Sequence, residues 1–130
     1  MPLIENIKTK LAKYPHVRFQ EDKNSLHIFP VDEDGFEIHI EDLSSSYFVS
    51  FEGFHLEFED IEEAMNFIAF GLSEDCRLQV VSRGNFPYKW AIEYKENGRW
   101  VMEEVTALIF FPYWRKKTIA YKQNHLIKEE

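Results

Sequence analysis

The sequence predicts an α+β fold in which two helices pack on one face of a predominantly antiparallel sheet of about seven to nine strands. Apolar residues recur at helical spacing in two stretches, near residues 3–14 and 61–73. Elsewhere, short segments alternate apolar and polar residues, and the turns between them are too short for parallel crossovers. The expected order is therefore one helix, about five strands, a second helix and about four strands.

Both predicted helices have recognisable ends. Pro15 stops the first near Tyr14, and Asp60 followed by Glu63 forms a capping pair at the start of the second. The apolar stripe comprises Leu3, Ile4, Ile7 and Leu11 in the first helix, and Ile61, Ala64, Met65, Ile68 and Leu72 in the second. Each stripe predicts which side of its helix faces the sheet.

Turn residues mark the ends of the strands. Asn97-Gly98 lies between two alternating runs and is typical of a type I′ hairpin turn. Gly53 allows a bend between two earlier strands, and polar turns near residues 22–24, 32–35 and 44–46 separate the others.

Length and composition favour a single domain that spans residues 1–130. The chain has 130 residues, of which 45% are hydrophobic, and it contains no linker or low-complexity stretch. Its one cysteine, Cys76, excludes an internal disulfide and suits a reducing cytosol. No apolar run approaches the roughly 18 residues of a membrane-spanning helix, and residues 1–13 lack the pattern of a signal peptide. We therefore expect a cytoplasmic protein that does not enter a membrane.

Charge is segregated along the chain. The net charge is −8, yet residues 31–75 contain fourteen acidic residues and no Lys or Arg. Residues 76–130 contain ten basic and six acidic residues, and residues 1–30 contain five basic and three acidic ones. Nucleic acid is disfavoured as a partner, because a phosphate backbone requires a Lys/Arg surface.

The acidic block alternates with Phe and Ile at strand period, so it is expected to fold rather than to be disordered. Alternation places Glu37, Glu41, Glu57 and Glu59 on the solvent side of the sheet. This surface either improves solubility or docks a basic protein partner through electrostatic steering.

The Asn97-Gly98 hairpin sets the register of its two strands. If both residues form the loop, Glu103 lies opposite Ile92, on a face shared with Trp90 and Tyr94. A carboxylate on that apolar face suggests a ligand pocket around Glu103, Trp90 and Tyr94, unless a one-residue bulge returns Glu103 to solvent. Trp100 and Met102, on the opposite face, either contact a partner or lie beneath the following segment.

Three histidines offer a possible metal site. His27, His39 and His55 occupy the polar positions of three strands, close to glutamates. Imidazole and carboxylate groups bind zinc if about three of them converge, but a solvated His/Glu face is the preferred interpretation, and no metal or cofactor is expected. Asp32, Asp34, Gly35 and Glu41 match part of a calcium loop, but Pro30 replaces its first ligand, which favours an acidic turn.

Residues 108–117 join an aromatic run to a basic cluster. Such a segment suits a membrane surface or stacking on nucleic acid, but a buried strand that leads into a Lys-rich edge strand is simpler.

No catalytic signature is present, and the acidic neighbours of Cys76 oppose a reactive thiolate. The sequence therefore leaves enzymatic activity open and favours a protein without it. The preferred hypothesis is a small cytosolic protein-binding module with an acidic docking surface, to which Trp100 and Met102 add apolar contacts. Its size and charge are similar to those of immunity proteins and secretion chaperones, an analogy that assigns no residue. The alternative is a ligand-binding or enzymatic domain whose pocket lies between sheet and helices, around Glu103, Trp90 and Tyr94.

Overall fold

Two antiparallel sheets and two helices form the fold in this computed structural model, which describes residues 3–124 and 126. The helices are α1 (Leu3–Leu11) and α2 (Ile61–Leu72). Between them lie β1 (Phe19–Asp22), β2 (Ser25–Ile28), β3 (Ile38–Asp42), β4 (Tyr47–Phe51) and β5 (Phe54–Phe58). After α2 come β6 (Cys76–Arg83), β7 (Phe86–Glu96), β8 (Arg99–Ala107) and β9 (Lys117–Lys122).

The α+β class and the antiparallel pairing agree with the sequence analysis, but the strands do not form the single sheet that was expected. The first sheet has the order β1-β2-β3-β4-β5, and the second has the order β8-β7-β6-β9. The chain leaves the first sheet through α2 and then starts a new one, in which β9 returns to pair with β6. The strands form two sheets because β6 pairs with β7 and β9 and not with a strand of the first sheet.

One hydrophobic core joins the two sheets and both helices. Each sheet turns one face to it, through residues such as Ile38 and Val49 in the first sheet and Leu78 and Ile92 in the second. The helix α1 lies against β3 and α2, while α2 also contacts β4, β5 and β6. The opposite faces of the sheets, called the outer faces here, therefore point away from this shared core.

Local signals act as the sequence predicts at the helix start and at the hairpin. Asp60 accepts a hydrogen bond from the backbone N–H of Glu63 and caps α2. Asn97 and Gly98 take positive φ angles of 53° and 77° in the β7–β8 turn. Gly53 is needed for a different reason, because a Cβ there would lie 2.2 Å from the ring of Trp90. This close approach lets the β4–β5 turn pack directly under the second sheet.

Candidate functional surfaces

The outer face of the first sheet brings the three histidines into one cross-strand row. His27 pairs with His39, His39 pairs with Ser50, and Ser50 pairs with His55. The rings of His27 and His39 are 5.7 Å apart, whereas His55 lies two strands from His39. The face therefore holds one close pair of imidazoles and a third that is separate.

Aromatic rings fill the spaces along this row. His27 stacks on Phe29 at 4.8 Å, and His55 stacks on Phe48 at 5.5 Å. Phe48 also meets His39 edge-on at 6.5 Å. The five rings form a continuous ridge across the sheet and hold the imidazoles in defined positions.

Two of the predicted docking glutamates lie beside this ridge. Glu41 Oε1 is 2.9 Å from Nε2 of His39. Glu37 Oε2 is 3.0 Å from Nε2 of His27, but this contact is not a hydrogen bond, and the buried nitrogen has no hydrogen-bond partner among the residues that the structure describes. Each carboxylate therefore contacts one histidine, and only the Glu41 contact is a hydrogen bond.

The histidines and carboxylates do not converge on a metal position. Within residues 3–124 and 126, no group of three or more His, Cys, Asp or Glu side chains has an arrangement that could hold a metal ion. The site considered for His27, His39 and His55 accordingly receives no support from the geometry.

The remaining docking glutamates lie on and after β5. Glu57 accepts a hydrogen bond of 2.6 Å from the hydroxyl of Ser46, and Glu59 follows the end of the strand, exposed to solvent. In the part of the chain that the structure describes, none of the four glutamates (Glu37, Glu41, Glu57 and Glu59) forms an ion pair with Lys or Arg. We call this set the acidic face.

Trp100 and Met102 do not adjoin the acidic face, contrary to their expected contribution to one docking surface. They lie on the outer face of the second sheet, opposite Lys95 and Glu93. Trp100 is partly covered by Arg77, whose guanidinium is also stacked on Tyr121 at 4.0 Å and donates to the buried carboxylate of Glu93. Trp100 therefore belongs to a cation–π stack within the sheet.

A bulge decides the position of Glu103. The register places Glu104, not Glu103, opposite Ile92, because the β7–β8 pairing shifts between Ile92 and Glu93. Glu103 is thus the extra residue of the bulge and is exposed, which corrects the expected position opposite Ile92 and matches the alternative of a bulge.

A cavity of about 220 Å³ nevertheless lies beside Glu103, between β5, α2 and the β7–β8 hairpin. It is lined by Phe54, Leu56, Phe58, Phe67, Phe70, Ile92, Glu103 and Glu104. Trp90 and Tyr94, which were expected in such a pocket, are not among these residues. Trp90 packs over Gly53 instead, and Tyr94 pairs with Cys76 and Val101.

Cys76 is a buried core residue. Burial raises the pKa of its thiol, and the charge of Glu103 raises it further. Both effects oppose formation of a thiolate, so the side chain is not suited to nucleophilic chemistry.

Residues 108–116 form an exposed connection between β8 and β9, and the expected buried strand over the aromatic run is wrong. Its four most exposed apolar side chains are Ile109 at 85%, Phe110 at 87%, Tyr113 at 71% and Trp114 at 72%. We call this segment the aromatic loop. Sequence reasoning missed the exposure because a run of apolar residues ordinarily indicates burial.

No family model, no curated protein and no solved structure matches the chain. Among residues 3–124 and 126, no helix has both the length and the apolar character needed to cross a membrane.

Proposed function

We propose that this protein is a non-catalytic binding module that holds a basic protein partner on the acidic face. The observation that carries the proposal is a set of four glutamates, three exposed and Glu41 half-buried, without a Lys or Arg partner in the described chain. Carboxylates left open to solvent on one surface attract a cationic surface and orient its approach.

The scaffold behind these carboxylates is rigid. The inner side of the same strands contributes Ile38, Ile40, Val49 and Phe51, all with no exposed surface. A well-packed sheet fixes the spacing of the side chains on its other face, so little order has to be gained when a partner binds.

The like charges also weaken the isolated fold slightly. Glu41 and Glu57 lie in the same cross-strand row, each paired with Phe48. The strand β4 separates them by about 10 Å, so their repulsion is weaker than the few tenths of a kcal/mol of a directly opposed pair. A partner that supplies cations relieves this repulsion, which is consistent with a docking role.

The test compares two double variants of equal net charge. Glu41→Gln with Glu57→Gln alters the acidic face, and Glu33→Gln with Glu96→Gln removes two exposed carboxylates elsewhere. The measurement is association with a basic protein that the wild-type chain captures from its native cell and mass spectrometry identifies. We expect the first variant to associate severalfold more slowly than wild type at low ionic strength. The difference in association rate should vanish near 0.5 M salt, where the Debye length is roughly 4 Å. The variant should unfold no more easily than wild type.

The matched pair separates the face from the total charge. If the Glu33/Glu96 variant slows association equally, the acidic face has no special role and the proposal is wrong. Capture of no basic protein by the wild-type chain contradicts it as well.

The aromatic cavity supports a second candidate, a ligand-binding or enzymatic domain. Its walls are mainly phenylalanine rings, and the carboxylates of Glu103 and Glu104 lie at its edge. Such a site suits a small molecule with an apolar body and a cationic group. We expect 2-phenylethylamine to bind more tightly than its neutral analogue 2-phenylethanol by about fivefold, and Glu103→Gln with Glu104→Gln to abolish that preference. Equal affinity of both compounds, measured by calorimetry, would argue against this candidate.

A further inference from the structure

The aromatic loop is the most prominent apolar surface of the described chain. Ile109 and Phe110 precede Phe111-Pro112 in the chain, Tyr113 and Trp114 follow it, and all four side chains are exposed. Several large apolar side chains that are 71–87% exposed in one short segment mark a surface that another phase or molecule covers.

The loop is held in a defined conformation rather than left loose. The ring of Phe111 stacks on the buried Tyr88 at 4.0 Å. At one end, the N–H of Leu108 donates to the carbonyl of Tyr88 over 2.7 Å; at the other, Lys116 accepts from the N–H of Gly84 over 2.8 Å. The exposed side chains are therefore presented by an anchored support.

Basic side chains surround the loop. The loop and the strand residues nearest to it, 78–92 and 105–121, contain no Asp or Glu, whereas the acidic residues of β7 and β8 lie farther along those strands. The residues near the loop contribute Arg83, Lys89, Arg115, Lys116 and Lys117. An open groove of about 540 Å³ between the loop and the β6–β7 turn has both Arg83 and Arg115 in its lining. Guanidinium groups in such a place favour a phosphate.

The loop is also remote from the acidic half of the molecule. Lys117, where β9 begins, pairs with Arg83 beside the loop, while Lys122, where β9 ends, reaches Glu52 of the first sheet at 2.9 Å. The length of β9 between them is about 17 Å, since a strand rises about 3.4 Å per residue. This distance is about twice the Debye length of roughly 8 Å at physiological ionic strength. Glu52, which already pairs with Lys122, is therefore too far from the loop to cancel the positive charge around it.

We propose that the aromatic loop docks the protein on an anionic lipid surface, with no segment crossing the bilayer. Tyr and Trp side chains are most stable at the level of the lipid headgroups, and the exposed side chains of Ile109 and Phe110 suit the acyl chains. Lys and Arg beside the loop meet the phosphates of acidic lipids. Phe110 and Trp114 line the same open groove as Arg83 and Arg115, so apolar and cationic side chains lie side by side, as an anionic lipid surface with its acyl chains and phosphates requires.

This docking places the acidic face where it is needed. The acidic face belongs to the other sheet, across the shared core. An anionic membrane repels this face, so it points away from the membrane toward the solvent. The lipid contact does not depend on the basic partner, and either proposal can fail without the other.

The test is sedimentation of the protein with vesicles. One set consists of phosphatidylcholine alone, and the other contains about a third of phosphatidylserine. We expect the wild-type chain to sediment with the anionic vesicles, less so as salt is raised, and to remain free with the neutral ones. Phe110→Ser with Trp114→Ser should weaken partitioning by at least about tenfold, since two exposed aromatic side chains no longer insert.

Charge variants separate the loop from the whole protein. Arg115→Gln with Lys116→Gln should weaken partitioning by about fivefold for each cation removed. Lys10→Gln with Lys13→Gln, on the exposed side and end of α1, removes the same charge and should have little effect. All of these side chains are exposed, so thermal unfolding of the variants should match that of wild type.

Three results would overturn the proposal. These are a wild-type chain that does not sediment with anionic vesicles, an α1 control that loses as much binding as the loop variant, and neutral vesicles that bind as well as anionic ones. A soluble acidic protein or an RNA that binds wild type and is lost in the loop variants, with no vesicle binding, would assign the loop to that partner instead.

Discussion

Replacing Phe51 with alanine is expected to lower the free energy of unfolding by about 3–5 kcal/mol. The side chain has no exposed surface and lies at the centre of the core between the first sheet and α2. It stacks on Phe67 at 4.5 Å and meets Phe36 at 5.1 Å. Gly71 of α2 packs on the same ring so closely that a Cβ at residue 71 would lie 2.3 Å from it. Truncation leaves a cavity that the rigid sheet and helix cannot close.

Phe110→Ala is the matched control, because the same atoms are removed from a side chain that is 87% exposed. Its effect on stability should stay within about 0.5 kcal/mol. Urea denaturation of both variants measures the difference. A loss below about 1.5 kcal/mol for Phe51→Ala would mean that the core relaxes around the missing ring, contrary to the packing described here.

Features encoded in neighbouring residues were predictable from the sequence. The apolar stripes located both helices, Asp60 located the start of α2, and Asn97-Gly98 located the β7–β8 turn. Alternation likewise identified the strands and the solvent-facing positions of Glu41 and Glu57. Each of these depends on backbone preferences or side-chain periods that act over a few residues.

Features set by distant pairing were not predictable. The second sheet is separate because β6 pairs with β7 and β9 and not with a strand of the first sheet. The residues that pair β6 with β9 are 34 to 44 positions apart in the chain, so no local pattern encodes that choice. The β7–β8 bulge moves Glu103 by one residue and exchanges its role with Glu104. Trp90 and Tyr94 share the face of Ile92, as alternation predicts, but Trp90 packs over Gly53 and neither ring lines the cavity beside Glu103.

The prediction for the aromatic loop was wrong for a different reason. Its composition matches that of a buried strand. In the structure, however, Phe111 stacks on Tyr88 while the side chains on either side of it in the chain are exposed. An apolar side chain at an exposed position departs from the usual agreement between sequence and fold. Such departures are found most often at functional sites. The misassigned segment is therefore the more informative one.

Replacing Asn124 with alanine should destabilise the fold by about 2–4 kcal/mol. Its buried side chain accepts a hydrogen bond from the N–H of Phe36 and donates one to the carbonyl of Gly71, each over 3.0 Å. Gly71 lies in the last turn of α2, where carbonyls lack a partner within the helix. The residue thus joins three distant parts of the chain: the segment before β3, the end of α2 and the segment after β9. Alanine would leave a donor and an acceptor buried without partners.

Asn66→Ala on the exposed side of α2 is the control, and it should leave stability unchanged or raise it slightly, because alanine favours a helix. Asn124→Asp tests the two hydrogen bonds separately. It keeps the acceptor for Phe36 but places a carboxylate against the carbonyl of Gly71, so its loss of stability should approach that of alanine near neutral pH. An unchanged urea midpoint for Asn124→Ala would mean that water replaces both bonds.

The expected loss would also loosen the segment that carries Glu37 beside His27, since Phe36 precedes Glu37 in the chain. Partner capture through the acidic face should then weaken even though no carboxylate has been removed.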